Sequence, residues 1–366
     1  MLLRISAWRS SGYSRIYEAM RNPPERILLL KPSSLGDIIH ALPTLAAIRR
    51  TFPEAHISWL VKKAWAPILH HHPLLDDIIE VEFSAVRLFG LIGSLRARRF
   101  DIVVDLQGLL RTGVLSWLSG AATRIGFTDA REGSSLFYTR RIVAPMRAMH
   151  AVDRYLCLAS ALGATSSKSE FVLPDRSDEK RRGEALFTKA GLDDASNVIG
   201  IAPSARWVTK RWPAESFAAV ADQLQYEGPH KVVFIGATQE KSEVARVKRA
   251  MRTEAADLTG LTTVGDLPVV MRRLRLLITN DSGPMHVAAA VGTSVVAVFG
   301  PTSSACTGPY GDGHTVLTSP VDCRPCFRRQ CHNPNTYECL TRISVQDVVR
   351  AAQRVLQRNR GGHNGG

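Results

Sequence analysis

What most constrains this chain is a pattern that runs twice. A strand-sized apolar run, Ile27–Leu30, leads into an amphipathic stretch, Ile38–Arg50. The alternation continues through Ile57–Val61, Ile78–Phe83, the helix-like Val86–Arg99, Ile102–Leu106 and Arg124–Phe127. Short apolar runs alternating with helix-period segments predict a parallel sheet covered by helices. A helix-like segment, His150–Leu162, then gives way to "GATSSKSEFVLPDRSDEK", whose small and charged residues and Pro174 read as a linker. After it the pattern restarts: strand Val198–Ala202, helix Glu215–Gln225, strand Lys231–Ile235, helix Gln239–Met251, strand Leu276–Thr279, helix Pro284–Val291 and strand Ser294–Phe299. A last helix is expected at Val345–Gln357. At 366 residues the chain is too long for one ordinary core and suits two domains. The expected division is an N-terminal extension (1–24), a first α/β domain (25–165), a linker (166–180), a second α/β domain (181–343) and a helix with a tail (344–366). Two open sheets of this kind leave a cleft between domains, with sites outside the carboxyl ends of strands.

Three strand-to-helix turns carry the chemistry. The sharpest is in "LLITNDSGPMHVAAAVGTSVVAVFGPTS", where an apolar strand ends at Asn280-Asp281 and Ser282-Gly283 opens a helix with Pro284 in its first turn. Free N–H groups and the dipole at such a helix start attract anions. His286 rises one turn along on the face of Ser282. Read blandly, this is a capped helix with a solvent-facing histidine; the ordered Asp-Ser-Gly-x-x-His followed by Gly300-Pro301-Thr302 favours a site. The second turn, "IAPSARWVTKRWPAESF", offers Ser204, Arg206 and Lys210 before Trp212-Pro213 opens a helix. Lysine serves phosphate as a point charge and arginine as a bidentate fork, although a basic loop with a cap is the plainer reading. The third is "KPSSLGDIIHALP". It has one glycine, Gly36, where a dinucleotide-binding turn has three, so a dehydrogenase is not expected. Asp37 follows at once. A carboxylate at a helix start is usually a cap; facing a nucleotide across a cleft, it becomes a candidate general base.

Charge bears on the partner. The net charge is +14, which favours an anionic ligand or surface. The clusters Arg96-Ala-Arg98-Arg99, Lys180-Arg181-Arg182 and Arg272-Arg273 each read as solvated helix faces. Aromatic residues do not interleave with them as in single-strand binders, so nucleic acid is not an expected partner. No run approaches the roughly 18 apolar residues of a membrane span. Residues 1–24 hold Arg4, Arg9, Arg15 and Arg21 but no continuous apolar core of a secretory signal, which predicts a cytoplasmic protein.

Taken together, "KPSSLGDIIHALP", "FDIVVDLQGLLRTG", "DAREGSSLFYTRR", "TKRWPAESF" and the Leu276–Ser303 segment resemble glycosyltransferase family 9. Within it they are most similar to the heptosyltransferases of the lipopolysaccharide inner core. The resemblance runs from about Arg26 to Gln357. It implies the GT-B architecture: α/β, with two Rossmann-like domains facing across a cleft, acceptor on the first and ADP-heptose on the second. It implies inverting transfer of heptose from ADP-L-glycero-D-manno-heptose to Kdo-lipid A or inner-core lipopolysaccharide, with another core position or nucleotide sugar as the alternative. By resemblance Asp37 is the catalytic base and Lys210 meets the donor phosphates. Asp281, Ser282, Gly283 and His286 form the donor turn, and Glu240 lies near the adenosine. Gly36, Gln107, Gly108 and Arg131 fall on the side of the anionic lipid A-type acceptor. Such an acceptor implies peripheral association with the cytoplasmic face of the inner membrane.

No two aspartates are separated by a single residue, so the Asp-x-Asp metal ligands of many glycosyltransferases are absent and no cofactor is expected for transfer. One motif stands apart. In "DCRPCFRRQCHNPNTYECLTRIS", Cys323, Cys326, Cys331 and Cys339 form C-x2-C-x4-C-x7-C, a spacing open to zinc or an iron–sulfur cluster. Reduced cysteines in a folded loop are the favoured reading. The loop is also the only support for a different class of function, a metal- or redox-responsive module on an inactive scaffold. His70-His71-His72 reads as the exposed end of a helix.

Overall fold

The computed structural model describes residues 23–165, 169–193 and 197–361; nearly all of the expected N-terminal extension and part of the expected linker lie outside them. The chain divides into two compact units between Pro174 and Asp175.

The first unit is built on strands β1 (Arg26–Leu30), β2 (His56–Lys62), β3 (Asp77–Val81), β4 (Ile102–Asp105), β5 (Thr123–Phe127) and β6 (Arg140–Ile142), in the order β3-β2-β1-β4-β5-β6. Every neighbouring pair is parallel. Both faces are covered, which is why Ile27–Leu30 is apolar without alternation and fully buried. The helices are α1 (Leu35–Thr51), α2 (Ala85–Ala97), α3 (Leu110–Leu118) and α4 (Ala151–Ser160). Helix α1 is buried almost throughout and packs on α4. It begins at Leu35 rather than Ile38, so Gly36 sits in its first turn and has no left-handed backbone. The turn is made by Lys31–Ser34, ahead of the glycine.

The histidine run departs from expectation. A short 3-10 turn, Ala66–Ile68, ends before it, and His72 is buried. Its Nε2 faces the Val172 carbonyl at 2.9 Å and its Nδ1 accepts from the Leu74 N–H at 3.2 Å. Burial lowers the His72 pKa to about 4.

The second unit repeats the plan with β7 (Val198–Ala202), β8 (Lys231–Phe234), β9 (Ala256–Asp257), β10 (Leu276–Asn280), β11 (Val295–Val298) and β12 (Thr315–Leu317). The order β12-β11-β10-β7-β8-β9, counted from the unit's own first strand, is again 3-2-1-4-5-6 and again all parallel. Its helices are α5 (Ser177–Lys189), α6 (Ala214–Glu227), α7 (Lys241–Ala250), α8 (Leu267–Arg272), α9 (Gly283–Ala290), α10 (Ser304–Thr307), α11 (Glu338–Thr341) and α12 (Val345–Gly361). Helix α5 begins inside the stretch read as linker. Its polar sequence hides a single buried row, Glu179, Gly183 and Phe187, four residues apart. Helix α12 packs on α6 and beside β10–β12, and Val348, Val349, Ala352 and Val355 complete the core there. Each such fully buried valine contributes about 1.5–3 kcal/mol over an exposed one.

Candidate active site

In sheets of order 3-2-1-4-5-6 the chain leaves the first and fourth strands in opposite directions, opening a crevice beyond their carboxyl ends. The motif residues gather at these two switch points. In the first unit Leu30 pairs with Asp105, and the loops Lys31–Ser34 and Leu106–Leu109 follow. In the second Ala202 pairs with Thr279, and Pro203–Lys210 and Asn280–Ser282 follow.

The first switch point is built on buried polar groups. Lys31 Nζ donates to the Leu106 carbonyl at 3.1 Å and to the Tyr155 hydroxyl at 2.8 Å. Burial opposes its charge, but the Tyr155 phenol, Asp37 and Asp105 outweigh that and hold the ammonium pKa above its ordinary value. Asp105 is fully buried and receives the Gln107 and Gly108 N–H groups at 2.9 and 3.0 Å and the Tyr138 hydroxyl at 2.7 Å. Burial pushes its pKa up against those bonds. The Ser33 N–H donates to Gln107 Oε1 at 3.3 Å, joining the two loops. Gly108 is left-handed, with φ +63°, and a Cβ there would also press on Ala130 at 3.4 Å. Its carbonyl accepts from the Arg131 N–H at 3.0 Å, which brings the Arg131 segment to the loop. The Arg131 residue itself is exposed.

Asp37 is half-buried, and its Oδ2 accepts from the Ser34 N–H at 2.9 Å and the Ser34 hydroxyl at 2.8 Å. This is a capping box on α1. The capping role read from sequence is therefore present, whatever else the carboxylate does.

The second switch point centres on an ion pair. Lys210 Nζ lies 2.7 Å from Asp281 Oδ2, which also accepts from the Thr302 hydroxyl at 2.7 Å. Lys210 Nζ stands 4.8 Å from the centroid of the Trp207 ring. Ser282 caps α9 with extended backbone, and its hydroxyl meets that of Thr279 at 3.0 Å. Asn280 ties the two loops together: its Oδ1 accepts from the Trp212 N–H at 3.0 Å and its Nδ2 donates to the Pro203 carbonyl at 2.6 Å. Ser204 is buried and Arg206 exposed. His286 is buried rather than solvent-facing. Glu240 stands beyond the neighbouring strand β8, where its Oε2 accepts from the Ala237 N–H at 2.7 Å and caps a turn. A helix start, a lysine and an arginine at one sheet edge can hold a phosphate.

The cysteine loop packs against this turn. The Arg324 guanidinium donates to the carbonyls of Gly300, Thr302 and Ser319, and the Phe327 N–H donates to the Pro301 carbonyl. The Thr209 hydroxyl donates to the Arg328 carbonyl at 2.9 Å. Gly300 allows this closeness, since a Cβ there would meet Leu340 at 2.9 Å. Cys323, Cys326, Cys331 and Cys339 line a cavity of about 700 Å³. All are free thiols, and among the described residues no three His, Cys, Asp or Glu side chains are gathered closely enough to hold a metal ion. Burial, then the neighbouring Cys323, Cys326 and Cys331, raise the Cys339 pKa to about 11.

Sequence reasoning missed Lys31, Asp105, Tyr138 and Tyr155 as one cluster, and Asn280 and Thr302 as the ties of the second turn. A signal existed for two of them: Lys31 and Asp105 each close an apolar strand, where an ionisable group has to be held by partners.

The fold is that of the GT-B glycosyltransferases. Residues 88–337 match the model of glycosyltransferase family 9 (heptosyltransferase), and the chain belongs to that family and is a glycosyltransferase. It is similar to lipopolysaccharide heptosyltransferase 1 of Pseudomonas aeruginosa, with 29% identity over 90% of this chain and 98% of the relative. With lipopolysaccharide heptosyltransferase 2 of Escherichia coli it shares 28% identity over 80% of this chain and 87% of the relative. Among solved structures, a family 9 glycosyl transferase from Veillonella parvula superposes with a TM-score of 0.80 at 29% identity, covering 91% of this chain and 97% of that one. Among the described residues no helix is long and apolar enough to cross a membrane.

Proposed function

We propose that this enzyme is an inverting lipopolysaccharide heptosyltransferase that moves heptose from ADP-L-glycero-D-manno-heptose to Kdo-lipid A. In this reading the first unit holds the acceptor through Gly36, Gln107, Gly108 and Arg131, and the second holds the donor. Asp37 takes the proton from the acceptor hydroxyl as it attacks the anomeric carbon. A carboxylate has about four lone-pair sites, so capping by Ser34 is compatible with that role. ADP leaves toward Lys210, Arg206 and the amides at the start of α9, while Ser204, Asp281 and His286 shape the turn and Glu240 stands toward the adenosine. An anionic lipid acceptor brings this basic protein, with its net charge of +14, to the cytoplasmic face of the inner membrane.

One observation supports the reading: the motif turns bearing Asp37, Gln107, Lys210 and Asp281 follow the central strands of two sheets with the same strand order. The test is purified protein with ADP-heptose and Kdo-lipid A, scored by product mass. A product one heptose heavier is expected, and Asp37→Ala should abolish it; transfer surviving in that variant removes Asp37 from the mechanism. A second reading, a later core position, draws support from the similarity to a relative named lipopolysaccharide heptosyltransferase 2. Core acceptors already bearing heptose distinguish the two.

A further inference from the structure

The cysteine-rich loop has no part in the function as stated so far, yet it is fastened to the donor turn. Its role emerges from the charges there. A departing diphosphate brings several negative charges. Lys210, the cation assigned to it, is already matched by Asp281 at 2.7 Å, so that pair offers little net charge. The start of α9 contributes about half a positive charge. More cation is needed, and among the described residues no carboxylate pairs with the guanidinium of Arg206 or of Arg329 within ion-pair distance.

Arg329 is well sited for this. It lies on the cysteine loop, exposed, with its guanidinium carbon 5.2 Å from the centroid of the Trp207 ring. Lys210 Nζ lies 4.8 Å from the same centroid. One indole thus gathers both cations, each gaining from the ring quadrupole. Two like charges brought together cost free energy unless an anion joins them. The backbone is held as firmly as the ring. Thr209, next to Lys210, bonds the carbonyl of Arg328, next to Arg329, at 2.9 Å. Arg324 grips the Gly300 and Thr302 carbonyls, and Thr302 in turn holds Asp281.

We infer that the cysteine-rich loop is part of the donor site and that Arg329 is the second cation on the donor diphosphate, sharing Trp207 with Lys210. This rests on the donor reading above. Arginine suits the place, since its planar fork can take two phosphate oxygens where lysine takes one.

The test is calorimetric titration of ADP and AMP into the wild type, Arg329→Ala, Arg329→Lys and Lys210→Ala, with thermal unfolding as a control. A charge-assisted hydrogen bond lost should weaken ADP about 10- to 100-fold in Arg329→Ala. AMP, lacking the second phosphate, should be much less affected, so the preference for ADP collapses. Arg329→Lys should retain part of it. Arg329 is exposed, so unfolding temperatures should not move. ADP binding in Arg329→Ala within about twofold of wild type, with Lys210→Ala weakened, overturns the inference and leaves the donor reading intact. Wild-type protein that does not bind ADP, or Lys210→Ala that binds it unchanged, overturns the donor reading instead.

Discussion

The two switch points share a strand order and differ in how they treat charge. In the first unit two ionisable groups at the crevice are buried and engaged: Lys31 with Tyr155 and the Leu106 carbonyl, Asp105 with two backbone amides and Tyr138. In the second, the buried carboxylate Asp281 is paired with Lys210, and Arg206 and Arg329 are exposed. Buried, fully bonded groups hold a geometry, whereas exposed cations beside a helix start wait for an anion. One topology therefore carries two different charge arrangements, and the difference lies in side chains that the strand order leaves free to vary.

That contrast can be broken by experiment. The largest effect should come from Lys31→Met, which leaves two buried acceptors without their donor. At about 2 kcal/mol each the first unit should lose roughly 4 kcal/mol in a denaturant titration, with ADP affinity unchanged. A loss of ADP binding instead would show that the switch points are not separate in function. The next effect is one of pH. The His72 pKa is depressed by burial to about 4 from 6.5, so its contribution is present above pH 6.5 and is lost as pH falls through 4. The gap corresponds to roughly 3 kcal/mol between pH 7 and pH 4. A His72→Gln variant has no such proton to take up and should show a flatter stability profile over that window; an unchanged slope would mean that other groups carry it. The smallest effect should be Thr302→Val, which removes one of two partners of Asp281 and should cost about 1 kcal/mol of stability in the second unit. A much larger loss would mean that the ion pair is no looser than the Lys31 cluster.

Legibility in the sequence followed burial. Strands enclosed on both faces read as unbroken apolar runs, so β1, β7 and β10 were recognisable to within a residue. Of the four edge strands only β3 was read: β6 is Arg140-Arg141-Ile142, β9 is two residues, Ala256-Asp257, and β12 is three, Thr315–Leu317, too short for any pattern. Helix α5 was lost among its charges. The motif turns were visible because each joins a strand to a helix with small residues between. The ion pair between Lys210 and Asp281 was not, because it depends on the register of β7 against β10, which no local pattern encodes. Lys31 was overlooked for a related reason: a lysine after a strand reads as solvent-facing until Tyr155 is seen to enclose it.

The packing of α12 has a consequence for how the chain is made. Of the described elements it leaves the ribosome last, yet it supplies Val348, Val349, Ala352 and Val355 to the core over β10–β12. The first unit can complete its core once Pro174 has emerged. The second cannot, and the face of β10–β12 that α12 covers stays open from the emergence of Leu276 until that of Val355, about 80 residues later. During that interval the nascent second unit exposes apolar surface of the kind that chaperones shield.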